Sequence, residues 1–308
     1  MGTPEFSVPM LDSIYNSKYD LVGVVTVEDK PAGRGRKISK SAVKQYVEDK
    51  NITVLQPKNL KSEDFLNELK ILNPNLIIVV AFRMLPKQVW SYPEYGTFNL
   101  HASLLPQYRG AAPINWAIIN GETKTGLTTF FIDEKIDTGE IIDSVEIEIK
   151  DEENLEDIYN KMLPKGSDLI MKTISLIEKN ITTAKKQENP DHLKKAPKLS
   201  NENTKIDWDQ SAKSIFDFVR GLSPYPLAWS TIKRGEEKIL CKISKVRYEF
   251  RDHKLENGRI EIRDKSLFVA AGDGFVEILE IKLSGKKLLK TKDLLNGFEL
   301  GSGSRMLW

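Results

Sequence analysis

Asn99 and His101 form a pair whose residue types and spacing suit catalysis. They lie two positions apart at the end of a predicted strand, 97–100, so their side chains point to the same face. In open α/β sheets, ligands bind at the carboxyl ends of the strands. An asparagine amide and a protonated histidine both donate hydrogen bonds to a developing oxyanion. The pair therefore predicts a site for transfer of an acyl-type carbon to an amine, without a Ser or Cys nucleophile.

Asp137 is the carboxylate expected to complete this site. It follows another predicted strand, 126–132, and precedes Thr138-Gly139, a tight turn that brings the backbone close to a ligand. A carboxylate beside His101 stabilises the protonated imidazole. The alternative is that His101 is a structural histidine and that Asp137 only begins a turn. A metal site built from His101, Asp133 and Asp137 lacks a second histidine, so we expect no metal.

The segment 33–37 combines two glycines with three cations, Arg34, Arg36 and Lys37. A mobile basic loop of this kind can neutralise phosphates, although a solvated surface turn has the same composition. Residues 1–184 carry a net charge of −5 and residues 185–308 a net charge of +7. The basic C-terminal part is compatible with a polyanionic partner.

Alternating strand and helix patterns organise the first two-thirds of the chain. Apolar, β-branched runs at 20–27 and 75–82 are typical of strands buried on both faces of a parallel sheet. Two helices, at 41–50 and 62–72, follow serines that can cap them. We therefore predict an α/β fold, an open, mostly parallel Rossmann-like sheet with helices on both faces. Further strands are predicted at 126–132 and 141–149, and further helices at 111–119 and 151–180, the last interrupted at Pro164.

The polar stretch 184–203 contains two prolines and lacks apolar periodicity, which predicts a linker. It would separate a catalytic domain, 1–183, from a C-terminal domain, 204–308. Short alternating segments after a helix at 211–222 predict a small antiparallel β-barrel. We expect Trp208, Phe216, Tyr225 and Trp229 in the core, Cys241 buried, and 301–308 as a surface tail.

The composition excludes several classes of protein. Of 308 residues, 40% are hydrophobic and 29% charged, and no apolar run approaches the ~20 residues of a membrane span. A single cysteine excludes an intrachain disulfide framework or a Cys-based zinc site. The sequence shows no secretory signal pattern. These features predict a cytoplasmic protein.

Several motifs together resemble the signature of folate-dependent formyltransferases. These are Asn99-Leu-His101, Ser103-Leu-Leu-Pro106, Tyr108-Arg-Gly-Ala-Ala-Pro113 and Asp137-Thr-Gly139. Further stretches are similar to the members that act on methionyl-tRNA: Gly2–Phe6, Lys30–Lys37, Lys205–Trp208 and Ser223–Trp229. The resemblance spans nearly the whole chain.

The resemblance implies transfer of a formyl group from 10-formyltetrahydrofolate to the free α-amino group of initiator methionyl-tRNA, in support of translation initiation. It implies a monomer without a metal, and a C-terminal OB-like domain that binds tRNA. Asn99, His101 and Asp137 match the catalytic residues of the family. The residues implied in folate binding are Ser103, Leu104, Leu105, Pro106, Phe82, Arg83, Met84 and Leu85, and those implied in tRNA binding are Arg34, Arg36 and Lys37. Phe82-Arg83 replaces the usual Tyr-Gly of the family.

Two alternatives remain open at this stage. An amino-sugar-nucleotide formyltransferase would use the same folate chemistry, and an inactive relative could bind RNA alone. The family also has an apolar strand before Gly2-Thr3-Pro4. We expect roughly eight residues upstream of Met1 to supply that strand.

Overall fold

The computed structural model describes residues 1–32, 37–188, 191–301 and 303–308. The strands of the first part of the chain are β1 (Val24–Val25), β2 (Lys30–Ala32), β3 (Lys37–Ser39), β4 (Val54–Leu55), β5 (Ile77–Val80), β6 (Thr97–His101), β7 (Arg109–Gly110), β8 (Lys124–Phe131), β9 (Ile141–Glu148) and β10 (Lys195–Ala196). Those that follow are β11 (Ala228–Arg234), β12 (Glu237–Phe250), β13 (Ile260–Arg263), β14 (Ser266–Ala271), β15 (Gly274–Leu283), β16 (Leu289–Lys290) and β17 (Arg305–Leu307). The helices are α1 (Val8–Tyr15), α2 (Ala42–Val47), α3 (Glu63–Leu72), α4 (Lys87–Trp90), α5 (Pro113–Ile119), α6 (Leu155–Glu178), α7 (Ala212–Leu222) and α8 (Thr291–Leu294).

The chain forms two compact units, neither of which is continuous in sequence. The first contains residues 1–110, 126–147 and 160–194, and the second contains 111–125, 148–159 and 195–308. The predicted linker 184–203 is divided between them. Its beginning is ordered within the first unit, where Lys185 and Ile141 exchange two backbone hydrogen bonds of 2.8 and 2.9 Å.

The first unit contains the predicted α/β sheet. Strands β5, β6, β8 and β9 lie in that order, with β5 parallel to β6 and β6 antiparallel to β8. A second parallel pair joins β1 to β4. The core on β5 includes Phe65 and Leu69 from α3. The Rossmann-like, parallel-rich fold class is therefore confirmed.

Met1 and Gly2 lie between β1 and β5. The Gly2 amide donates to the Val25 carbonyl at 3.1 Å, and the Val80 amide donates to the Met1 carbonyl at 2.9 Å. A cavity of about 750 Å³ adjoins these two residues, with Val24 and Ile77 among its lining residues. Met1 and Gly2 therefore provide the hydrogen bonds that join the two parallel pairs of strands.

Helix α6 is continuous, so the predicted interruption at Pro164 is wrong. A proline inside a helix costs about 3 kcal/mol because it removes one backbone hydrogen bond and crowds the preceding turn. Met162 and Ile170, on either side of Pro164, are fully buried. Gly166 lies so close to α1 that a Cβ there would be 2.2 Å from Cε of Met10, and it would also lie 3.3 Å from Cδ2 of Leu100 in β6. Tertiary packing on both sides of Pro164 therefore outweighs the local tendency of proline to interrupt a helix.

The second unit contains one antiparallel sheet, in the order β13-β14-β15-β12-β11-β17, with β16 paired to β15. Helix α7 begins after Ser211, whose hydroxyl caps it by accepting from the Ser214 amide. Its buried residues Ile215 and Val219 belong to the same core as Ile243 and Ile278 of the sheet. This arrangement confirms the OB-like fold class.

Two expectations about the second unit are wrong. Residues 301–308 are not simply a surface tail, because β17 pairs with β11 and Met306 is fully buried. Tyr225 is not in the core, because 79% of it is exposed. Of the other three aromatic residues expected in the core, Trp208 and Phe216 are buried, whereas Trp229 is half-buried. No helix in the described ranges is long and apolar enough to cross a membrane.

Candidate active site

Strand β6 brings Asn99 and His101 to one face of the sheet, as the spacing predicts. The intervening Leu100 is buried against the opposite face, where its Cδ2 would lie 3.3 Å from a Cβ on Gly166 of α6. Asn99 is held in register on both sides, by Val79 in β5 and by Phe130 in β8. The two polar side chains therefore project from a strand whose neighbours fix its position.

His101 is only 6% exposed and makes a defined backbone contact. Its Nε2 lies 2.9 Å from the carbonyl oxygen of Tyr108. Because a carbonyl only accepts hydrogen bonds, Nε2 carries the proton and donates it to Tyr108. The other ring nitrogen, Nδ1, lies 3.8 Å from Oδ2 of Asp137. Protonation of Nδ1 would therefore place the positive charge of the ring beside a carboxylate.

Asp137 belongs to a turn that its neighbours shape closely. Its φ of +56° places it in the left-handed region. Asp133 holds the turn by accepting from the Lys135 amide at 3.0 Å and from the Thr138 hydroxyl at 2.8 Å. A Cβ on Gly139 would lie 1.7 Å from the Phe131 carbonyl oxygen, so the turn requires glycine there. The carboxylate itself accepts from the Gly110 amide at 3.1 Å.

The side-chain amide of Asn99 has no hydrogen-bond partner among the residues that the structure describes. The amide is not sealed in the core, since Asn99 is half-buried. A donor held on a strand without an internal partner is available to a ligand. The site thus combines a free amide, an imidazole and a carboxylate.

Ser103, Leu104, Leu105 and Pro106 form the loop after β6. The Ser103 hydroxyl is fully buried and donates to the Gln107 carbonyl at 2.7 Å. Thr128 of β8 supports the loop, because its hydroxyl donates to the Ser103 carbonyl at 2.7 Å and accepts from the Leu105 amide at 3.2 Å. Ser103 therefore shapes the loop, and Thr128 is a supporting residue that the sequence did not reveal.

The segment of Phe82, Arg83, Met84 and Leu85 follows β5. Leu85 is buried, whereas Met84 is 66% exposed. The Arg83 guanidinium donates to the carbonyl oxygens of Pro57 and Lys58 and lies 5.6 Å from the centre of the Phe82 ring. Within the described residues, the main-chain groups of this segment form no backbone hydrogen bonds. They are therefore available to a ligand.

The predicted tRNA-binding residues fall at a gap in the described chain. Arg34 and Arg36 lie outside the described residues. Lys37 begins β3, whose backbone pairs with β2, but its side chain is not described. Strands β2 and β3 therefore flank residues 33–36.

Gln187 is a further residue that the sequence did not reveal, because it lies in the polar stretch predicted as a linker. Its side-chain amide contacts the turn that carries Asp137. A single glutamine in a polar segment has no periodicity or motif that distinguishes it. Across the described ranges, no group of three or more His, Cys, Asp or Glu side chains is arranged to hold a metal.

Two family models match the chain. The first, described as formyl transferase, matches residues 1–174, and the second, described as formyl transferase C-terminal domain, matches residues 198–299. The chain belongs to the formyl transferase family. Its catalytic and C-terminal parts are therefore both those of a formyl transferase.

Similar formyl transferases include two that are named methionyl-tRNA formyltransferase. The one from Flavobacterium johnsoniae is 52% identical over 307 residues, which cover 99% of this chain and 97% of that protein. The one from Bacteroides thetaiotaomicron is 47% identical over 311 residues, with 99% of this chain and 97% of that protein covered.

Solved structures show the same formyl transferase fold. The N-formyltransferase from Helicobacter canadensis, in complex with folinic acid and dTDP-3-aminofucose, has a TM-score of 0.64 and 22% identity, with 90% of this chain and 96% of that chain covered. HypX from Aquifex aeolicus, in complex with tetrahydrofolic acid, has a TM-score of 0.58 and 21% identity, with 84% of this chain but only 44% of that chain covered. At these identities the likeness concerns the fold alone.

Proposed function

We propose that this formyl transferase transfers the formyl group of 10-formyltetrahydrofolate to the α-amino group of methionyl-tRNA, in support of translation initiation. The observation that carries the proposal is the 3.8 Å approach of His101 Nδ1 to Asp137, beside the unpartnered amide of Asn99. The relatives named methionyl-tRNA formyltransferase match this chain over 99% of its length. They favour tRNA as the acceptor over an amino sugar.

Asn99 and His101 stabilise the charge that develops during transfer. When the free amine attacks the formyl carbon, a C–N bond forms and negative charge gathers on the formyl oxygen. Collapse of this tetrahedral adduct breaks the bond between the formyl carbon and N10 of the co-substrate. Tetrahydrofolate then leaves with a proton on N10, which balances the proton that the attacking amine loses. The Asn99 amide donates a hydrogen bond to that oxygen, and a protonated His101 donates from Nδ1. Donors fixed in a buried site need no reorganisation during the reaction, and loss of one costs roughly 100- to 1,000-fold in turnover in comparable sites.

Asp137 takes part in the proton transfers of the reaction. Its carboxylate stabilises the protonated ring of His101 and takes up the proton that the attacking amine releases, directly or through one water. The Gly110 amide and the left-handed turn hold this carboxylate toward the ring. Because the amine is itself the nucleophile, the reaction requires no covalent adduct with the protein.

The segment of Phe82, Arg83, Met84 and Leu85 fits the folate co-substrate. A pterin ring carries hydrogen-bond donors and acceptors along its edge, and the unpaired main-chain groups of this segment can match them. The exposed side chain of Met84 offers an apolar contact beside them. The Arg83 side chain is directed to the carbonyls of Pro57 and Lys58, so the segment binds through its backbone. When bound, 10-formyltetrahydrofolate supplies the formyl group.

Arg34, Arg36 and Lys37 bind phosphates of the tRNA acceptor stem, together with the basic C-terminal part of the chain. The net charge of +7 over residues 185–308 supports this role, since phosphate neutralisation dominates binding to nucleic acids. We further propose that the protein acts as a monomer in the cytoplasm.

A formyl-transfer assay tests this function. The parent is incubated with methionyl-tRNA and 10-formyltetrahydrofolate beside His101→Ala and a matched control, His192→Ala, which changes an exposed histidine. We expect formyl-methionyl-tRNA from the parent and from His192→Ala, and none from His101→Ala. A folded parent that formylates an amino-sugar nucleotide but not methionyl-tRNA would establish the alternative substrate. A folded parent that forms neither product would refute the catalytic function.

A further inference from the structure

The side-chain amide of Gln187 makes four hydrogen bonds at the edge of the candidate site. Its Nε2 donates to the carbonyl oxygens of Asp137 and Gly139, at 2.9 and 2.8 Å. Its Oε1 accepts from Nε and Nη2 of Arg109, at 3.1 and 2.6 Å. Carbonyls only accept and a guanidinium only donates, so these partners determine the orientation of the amide.

These bonds connect the two segments that contact the His101–Asp137 pair. Arg109 lies between Tyr108, whose carbonyl accepts from His101 Nε2, and Gly110, whose amide donates to the Asp137 carboxylate. Nε2 of Gln187 donates to the backbone carbonyl of Asp137 itself. A single side chain thus joins the strand behind the imidazole to the turn that carries the carboxylate.

The backbone near Gln187 is fixed independently of the site. Two residues earlier, Lys185 exchanges backbone hydrogen bonds of 2.8 and 2.9 Å with Ile141, at the start of β9. Gln187 is itself half-buried. Its side chain therefore extends from a segment that is already anchored to the sheet.

The distance between Nδ1 of His101 and Oδ2 of Asp137 makes this contact sensitive to small movements of the turn that carries Asp137. At 3.8 Å, Nδ1 and Oδ2 lie beyond ordinary hydrogen-bond distance, so the contact depends on where the turn is held. The Gly110 amide donates one hydrogen bond of 3.1 Å to the carboxylate of Asp137. Two bonds from Gln187 to the backbone of the turn restrict movement that this bond alone would allow.

We propose that Gln187 is a positioning residue that holds Asp137 at its working distance from His101. The expected effect of Gln187 on kcat rests on the proposed function. Gln187 itself does not contact the reacting atoms. It acts through Asp137, and an amide is required because it donates to the turn while it accepts from Arg109.

Gln187→Met tests the proposal, since it keeps the length of the side chain and removes all four hydrogen bonds. We expect kcat to fall on the order of 100-fold, as for a catalytic group displaced by about 1 Å, while KM for folate and for tRNA stays within threefold. Glu188→Met is the matched control at an exposed neighbour and should keep the parental kcat. Gln187→Glu should lose as much as Gln187→Met, because a carboxylate accepts from Arg109 but cannot donate to the turn.

A double-mutant cycle separates positioning from a general loss of stability. In an Asp137→Asn background, Gln187→Met should lower kcat less than threefold further, because the carboxylate through which it acts is already gone. A loss of equal size in both backgrounds, a parental kcat in Gln187→Met, or a parental kcat in Gln187→Glu would each overturn the proposal.

Hydrogen exchange of the Gly110 amide provides a readout without substrate. It should exchange at least tenfold faster in Gln187→Met than in the parent and in Glu188→Met, because its acceptor, Asp137, is no longer held. An unchanged rate would overturn the positioning role. A faster rate in a chain that transfers no formyl group would refute the proposed function and leave the positioning role supported.

Discussion

Nδ1 of His101 lies 3.8 Å from Oδ2 of Asp137, on the side of the ring opposite the Tyr108 carbonyl. We predict that Asp137→Asn lowers kcat by about 100- to 10,000-fold, the range for loss of a group that handles a proton in the transition state. The affinity for tRNA should change little. Single-turnover formylation and filter binding measure the two quantities. Glu134→Gln changes an exposed carboxylate of the same loop and is the control; a parental kcat in Asp137→Asn would contradict the assigned role.

Asn99→Ala should reduce kcat by about 100- to 1,000-fold, because it removes one donor to the formyl oxygen. Its amide has no partner within the described chain, so the melting temperature should fall by less than in a variant that breaks internal bonds. Kinetics and a thermal melt of the same sample separate the two effects. A melting temperature that falls as far as in a variant that breaks internal bonds would argue for a structural role of Asn99.

Gly139→Ala should destabilise the protein by about 3 kcal/mol or more, because the new Cβ would overlap the Phe131 carbonyl oxygen. This oxygen belongs to the backbone and cannot move aside as a flexible side chain could. Activity should be lost with the shape of the turn. Denaturant unfolding measures the free energy of unfolding. The matched control is Gly297→Ala, where a new Cβ meets no atom within 4 Å. Equal stability of the two variants would be incompatible with the close approach at Gly139.

Asp217 and Arg220 form a buried pair on α7, with Arg220 Nε donating to Asp217 Oδ1 at 2.7 Å. Lys213 Nζ also donates to this carboxylate, at 2.7 Å. Asp217→Asn should cost about 3–5 kcal/mol, because it leaves buried positive charge without its partner. The exposed pair Arg234–Glu237 has the same spacing, and Glu237→Gln should cost less than about 1 kcal/mol. Similar unfolding free energies for the two variants would contradict this assignment.

Burial raises the pKa of the Cys241 thiol to about 12. The thiol therefore stays protonated at pH 8, and the folded protein should not react with a disulfide reagent over an hour. Addition of denaturant should release one equivalent per chain. Stoichiometric labelling of the native protein within minutes would show that Cys241 is accessible.

The sequence predicted the sheet well because its strands are chemically distinctive. The β-branched run 75–82 contains β5, Ile77–Val80, and the predicted strand 141–149 contains β9, Ile141–Glu148. The proline in α6 misled the prediction because its local cost is offset by contacts that are distant in sequence, such as the approach of Met10 to Gly166. Strand β17, Arg305–Leu307, was missed for a similar reason, since Met306 enters a core that local periodicity does not reveal.

The candidate site was predictable where strand geometry decided it. Asn99 and His101 share a face because residues two apart on a strand do so, and both were identified from that spacing. Gln187 and Thr128 were not, because their contributions include hydrogen bonds to backbone atoms 23 or more positions away. Tyr225 was expected in the core with the other aromatic residues of this part of the chain, yet it is exposed in the turn before β11.

The positive φ of Asp137 restricts the residue types that position 137 can accept. Residues with a Cβ pay roughly 1–2 kcal/mol in the left-handed region, and asparagine and aspartate tolerate it best. A saturation library at position 137 should therefore divide into three classes. Aspartate alone should be both folded and active, asparagine and glycine should be folded and inactive, and bulky or β-branched replacements should be depleted at the level of protein abundance.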